Sequence, residues 1–199
     1  MNFNNNRTVS LKKMMAVAGL FWFFFLVFYL LAALTFHSGE QAFTDFYVWF
    51  NNSIFYPILA SLLIVTLSFH VYVAITRQFS NNVSSGDRYK KPYPKAVPRI
   101  VAWSGASIIL IFILTHTFQM FSTNTVDLYS EIQNIFKRPI MWGIYGLGMV
   151  AISTHLHHGL TNVLQTLGIS SKQHKVLALI LVVLMMAGYA SIPLGVLYA

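Results

Sequence analysis

Five apolar runs, each close to the roughly 20 residues a helix needs to cross bilayer hydrocarbon, dominate this chain of 199 residues. They are expected at about 14–36, 53–76, 100–121, 140–165 and 176–197. In lipid every backbone N–H and C=O must be satisfied within the segment, so such runs can only become helices. The chain is 56% hydrophobic and 9% charged, too little charge to clothe a soluble domain. The expected fold is therefore an all-α integral membrane protein, a single membrane domain over residues 1–199 with five transmembrane helices. The first run is too long for the apolar core of a cleavable signal, and no small-residue cleavage site follows it. The absence of cysteine excludes disulfides, zinc–thiolate sites and iron–sulfur clusters held by this chain's own thiolates. No internal repeat or low-complexity segment is evident.

The formal charge of +8 invites a nucleic-acid reading, but the distribution of the basic residues argues against it. Arg7, Lys12 and Lys13 precede the first run, and Arg77, Arg88, Lys90, Lys91, Lys95 and Arg99 crowd the second loop. Lys172 and Lys175 lie in the fourth, so 11 of the 13 basic residues fall on one side. The opposite loops carry Glu40, Asp45, Asp127 and Glu131 beside Lys137 and Arg138. By the positive-inside rule the N-terminus is cytoplasmic, and the basic face is suited to a partner or to anionic lipid. Nucleic acid is not an expected partner.

Histidines inside membrane-length helices are costly, and they usually face a bundle interior, a water-filled cavity or a cofactor. Counting 1.5 Å per residue, His70 lies about 27 Å and His155 about 25 Å from the acidic side, on different helices at one level. His116 lies about 25 Å from the basic side and defines a second level nearer the other surface. Two neutral imidazoles at one depth suit six-coordinate haem b, with iron taking one nitrogen from each side and apolar walls holding the porphyrin. The bland alternative is that each histidine bonds a neighbouring carbonyl. His157 should point away from His155, and His158 should share its face one turn closer to the interface. His37, at the boundary, and His174, in a loop, are expected to be solvated. The run His155-Leu156-His157-His158 resembles the histidine boxes of membrane oxygenases only in part. Seven histidines scattered over two depths and two loops are too few and too dispersed for a diiron centre.

Several motifs, in order, carry a wider resemblance. Lys12-Lys13 precedes Gly19-Leu20-Phe21, and His70 is followed by Asn81 and Tyr89. Arg99 leads into Trp103-Ser104-Gly105 and His116. His155 has Gly159 four residues on, followed by Gln165-Thr166-Leu167-Gly168 and Ala190-Ser191-Ile192-Pro193. Over almost its whole length the chain resembles the cytochrome b membrane anchor of succinate:quinone oxidoreductases, of the single-polypeptide, five-helix cytochrome b558 type. The resemblance implies a haem-binding helix bundle in a bacterial inner (cytoplasmic) membrane, with four helices around the cofactor and the fifth outside them. It also implies His70 and His155 as axial ligands to the haem iron. A flavoprotein and an iron–sulfur subunit would dock on the cytoplasmic face, carrying FAD and iron–sulfur clusters that this chain lacks. Membrane quinone would accept the electrons from succinate.

This chain itself offers no nucleophile–base pair and no phosphate loop, so it would anchor and conduct without carrying substrate chemistry. A quinol:fumarate reductase anchor would run the same parts in reverse. A haem-free structural anchor is the rival of another class.

The departures from the family are specific. Its second haem, between a histidine in the first helix and one in the third, would involve His116, but the first-helix position holds Tyr29. Counted from Lys13, Tyr29 lies about 24 Å deep, level with His116. A phenolate can ligate haem iron, yet burying that charge costs desolvation. One haem b is expected rather than two, with His116 hydrogen-bonded to Tyr29. Ser153 stands where some relatives of this type carry a glutamate for proton transfer, and Ser84-Ser85-Gly86 replaces a basic stretch.

Overall fold

The computed structural model describes residues 3–83, 99–166, 168 and 172–198. Seven α-helices follow in order: α1 (Phe3–Leu34), α2 (Glu40–Asn51), α3 (Phe55–Val83), α4 (Arg99–Phe121), α5 (Leu128–Phe136), α6 (Pro139–Thr166) and α7 (Lys172–Leu197). There is no strand among the described residues. Among the described residues, four stretches are long and apolar enough to cross a membrane: Lys13–Ser38, Phe55–Thr76, Ser104–Phe121 and Gln173–Leu197. The chain is thus all-helical with the character of a multi-pass membrane protein. The fourth expected span, α6, has 28 residues, enough to cross at 1.5 Å each. Its polar stretch of Ser153, Thr154, three histidines, Thr161 and Asn162 dilutes its hydropathy.

Apolar side chains such as Phe24, Ile64, Val65, Phe118 and Val183 cover the outside of the helices. That is the reverse of a soluble surface and suits a lipid solvent. The interior is narrow. Leu30 of α1, Leu156 and Leu160 of α6, and Ala178, Val182 and Met185 of α7 form one buried cluster, with Phe23, Leu26 and Val27 packed against it. Helix α1 also packs on α3, and α6 on α4. Beyond α1, α3 packs on α2, and α4 has no helix packed on it as extensively as α6. Among their described side chains, only Val73 of α3 and none of α4 is buried. The helices therefore form an open arc, with α1, α6 and α7 at its centre and α3 and α4 as loosely held arms.

A second layer closes the acidic end. Phe36 and Phe43, Leu128 of α5 and Ile192 of α7 form another buried cluster with Ala33. Phe36 stacks on Tyr129 with ring centres 4.5 Å apart. Asn51 donates to Thr125 at 2.9 Å, and the Trp142 indole donates to the Phe136 carbonyl at 2.8 Å. Gly39, at φ +96°, makes the turn from a 3-10 turn at Thr35–Ser38 into α2, a conformation that favours glycine because it lacks a Cβ.

Two expectations need correction. The segments between the first and second and the third and fourth runs are not plain loops but contain α2 and α5, short helices with apolar faces that pack on the bundle end. The first membrane-crossing stretch, Lys13–Ser38, agrees with the expected 14–36, and the helix that carries it starts at Phe3. His174 is not a solvated loop residue: it sits in the first turn of α7 and is 6% exposed. The basic loop with Arg88, Lys90, Lys91 and Lys95, together with Tyr89, lies outside the described residues.

Candidate functional site

Helices α3 and α6 bring His70 and His155 together. Their ring centres are 6.2 Å apart with planes at 73°. The helices bearing them do not pack extensively on each other, so the imidazoles meet across the open side of the arc. Helix α3 is fixed to α1 at this height, where the Trp22 indole donates to Thr66 at 3.1 Å, one turn from His70. The backbone of Met15 in α1 lies near the His70 ring. On the same helix as His155, Leu156 and Leu160 are buried against α1 and α7.

Two imidazoles alone cannot complete a metal's coordination sphere. Among the described residues no group of three or more His, Cys, Asp or Glu side chains gathers to hold an ion. A metal held by His70 and His155 would have to bring its other ligands with it, as haem iron does in its porphyrin. With metal–nitrogen bonds of about 2 Å, two imidazoles holding one metal ion between them would have ring centres about 6 Å apart. The observed separation fits that arrangement, and the open side between α3 and α4 leaves the imidazoles accessible.

The other histidines separate cleanly. His158 Nε2 accepts from the Asn162 amide at 2.8 Å on the exposed face of α6. His37 Nε2 donates to Ser191 Oγ at 2.9 Å, since the Ser191 hydroxyl is itself given to the Gly188 carbonyl at 2.7 Å.

The second level is differently built. Tyr29 Oη of α1 lies 2.9 Å from His116 Nε2 of α4, and His116 Nδ1 lies 3.2 Å from Tyr145 Oη of α6. The Tyr145 hydroxyl donates to Gln119 Oε1 at 2.9 Å, and the Gln119 amide contacts Met141 Sδ at 3.7 Å. Because Tyr145 gives its one proton to Gln119, it can only accept from His116. Neutral His116 is then protonated on Nδ1 and accepts from Tyr29 on Nε2. Phe112 stacks on His116, at 5.9 Å and 15°, and Phe25 stacks on Tyr29 at 5.8 Å and 19°. Tyr189 lies beside Tyr29 and donates to the Leu26 carbonyl at 2.6 Å.

Tyr145 and Gln119 were not singled out from sequence, although signals for both exist. Gln119 lies three residues after His116, on the same helix face. Tyr145 lies six residues into α6 from the acidic end and His116 five residues before the end of α4, so a depth count pairs them. The approach of the Met15 backbone to His70 has no such signal, because every residue has a backbone. No protein-family model, curated protein or solved structure matches this chain.

Proposed function

We propose that this chain is the haem b-bearing membrane anchor of a bacterial succinate:quinone oxidoreductase, with five membrane spans that include α6 and a cytoplasmic N-terminus. The observation that carries the reading is the juxtaposition of His70 and His155, 6.2 Å apart on helices that leave a gap between them. The ordered motifs running from Lys12-Lys13 to Pro193 support it from sequence. Haem b, when bound, would supply one-electron redox chemistry. The chain's residues would do the rest: His70 and His155 would hold the iron, and the apolar wall of α1 and α6 would exclude water. The basic end would receive a flavoprotein and an iron–sulfur protein, which deliver electrons from succinate, and membrane quinone would accept them.

A reduced-minus-oxidised spectrum of the purified protein tests this directly. A sharp α-band of low-spin haem b is expected. A protein purified from its native membrane without any such band would be a haem-free anchor, and the reading would fall.

A further inference from the structure

The family resemblance implies a second haem at the level of His116, and the residues there do not fit one. A haem ligand needs a ring nitrogen free to bind iron, and His116 has none. Nε2 is engaged by Tyr29 and Nδ1 by Tyr145. The first-helix position that should oppose it holds Tyr29, whose hydroxyl is spent on the same imidazole. Flat side chains pack on both rings, Phe112 on His116 and Phe25 on Tyr29. Phe112 in turn is pressed against the backbone of α6, where Gly148 leaves no room even for a Cβ.

We infer that this level is a closed hydrogen-bonded clasp, in which His116 joins α1, α4 and α6 and does not serve as a cofactor ligand. Every polar atom in the clasp has a role. Tyr29 donates to His116, His116 donates to Tyr145, Tyr145 donates to Gln119, and the Gln119 amide reaches Met141. Buried polar groups are retained where such a network satisfies them all. The clasp also explains how α4, which otherwise packs chiefly on α6, is tied to α1. Resting on the function proposed above, the inference limits the chain to one haem, at the His70–His155 level, so electrons have no second haem on which to cross to the acidic end.

The test uses the whole complex with its partner subunits. Haem is counted per chain as pyridine haemochrome in the wild type, in His116→Ala and in the milder His116→Gln. The ring nitrogens of His116 are read by 15N NMR in histidine-labelled wild type. The inference expects one haem per chain in all three proteins, an unchanged α-band, and His116 as the neutral Nδ1–H tautomer. Two haems per chain, or loss of half the haem in His116→Gln, would overturn it. A complex containing no haem would sink the proposed function instead. The NMR arm would still decide the clasp, because a His116 protonated on Nε2 contradicts it and one protonated on Nδ1 supports it.

Discussion

The imidazoles of His70 and His155 stand 6.2 Å apart although the helices that carry them have no extensive packing between them. Two polar rings, His155 exposed and His70 half-buried, are brought together across a gap and gain little from each other. The arrangement makes sense when something between them supplies the missing interactions. The first prediction follows: His70→Ala and His155→Ala, made singly, should each abolish the low-spin haem spectrum, because iron left with one axial imidazole becomes high-spin or the haem is lost. An unaltered α-band in both variants would remove the pair from consideration as ligands.

Gly148 and Gly146 make a matched pair on α6. A Cβ on Gly148 would run into the Phe112 ring, while one on Gly146 would meet nothing within 4 Å. Gly148→Ala should therefore destabilise by about 1–3 kcal/mol, the usual cost of overpacking, and displace Phe112 from His116. Gly146→Ala should be neutral or stabilise by up to about 1 kcal/mol, since alanine suits a helix interior better than glycine. Denaturation in detergent would read both. Equal effects at the two positions would mean that Phe112 does not pack on α6 as described.

Tyr47 lies on α2, outside the membrane-spanning segments, against Phe43 at 4.6 Å. Burial, and after it the neighbouring Tyr189, holds its hydroxyl well above the ordinary tyrosine value. The unfolded chain releases that proton near pH ~10, whereas the folded chain keeps it. Above that pH the unfolded state binds fewer protons than the folded one, so stability falls as pH rises through the folded value. Tyr47→Phe should flatten this alkaline decline and leave stability at neutral pH nearly unchanged. The midpoint of alkaline unfolding, wild type against variant, is the measurement. An equally steep decline in the variant would place the titration elsewhere.

Orientation rests on the loops. With 11 of 13 basic residues on one side, a cysteine introduced as Ser85→Cys should react with impermeant reagent only from the cytoplasmic side. Labelling from the opposite side alone would invert the topology, and with it the face offered to the iron–sulfur partner.

Long apolar periods and depth were readable from the sequence because both are counted along one helix at a time. The paired level of His70 and His155 and the hydrogen bond from Tyr29 to His116 could be anticipated by that count. Helices α2 and α5 could not, since each is short and charged enough to read as a loop. Their apolar faces acquire partners in each other, in α7 and in the 3-10 turn at Thr35–Ser38. His174 was misjudged for a related reason: burial of a terminal turn depends on what packs beside it, which a linear count does not see. The modest hydropathy of helix α6 reflects a polar stretch of which only Thr161 is buried, while Thr154, His155, His158 and Asn162 are exposed.

The direction of the hydrogen bonds at the second level gives a ranking that a merely aromatic cluster would not. Tyr29 only donates, so Tyr29→Phe leaves one acceptor, His116 Nε2, without a partner. Tyr145 both accepts from His116 and donates to Gln119, so Tyr145→Phe strands a donor and an acceptor. An unsatisfied buried group costs about 1–3 kcal/mol. Tyr29→Phe should therefore lower stability by about that much, and Tyr145→Phe by clearly more, neither changing the haem spectrum. Combining Tyr29→Phe with His116→Leu, a side chain of similar bulk that needs no partner, should recover part of the loss, since contacting residues in one network couple by about 0.5–3 kcal/mol. Unfolding of wild type, Tyr29→Phe, Tyr145→Phe, His116→Leu and the double variant in detergent would measure the ranking and the coupling together. If Tyr29→Phe proved the costlier change, or the double variant were simply additive, the proton order from Tyr29 through His116 to Gln119 would be wrong.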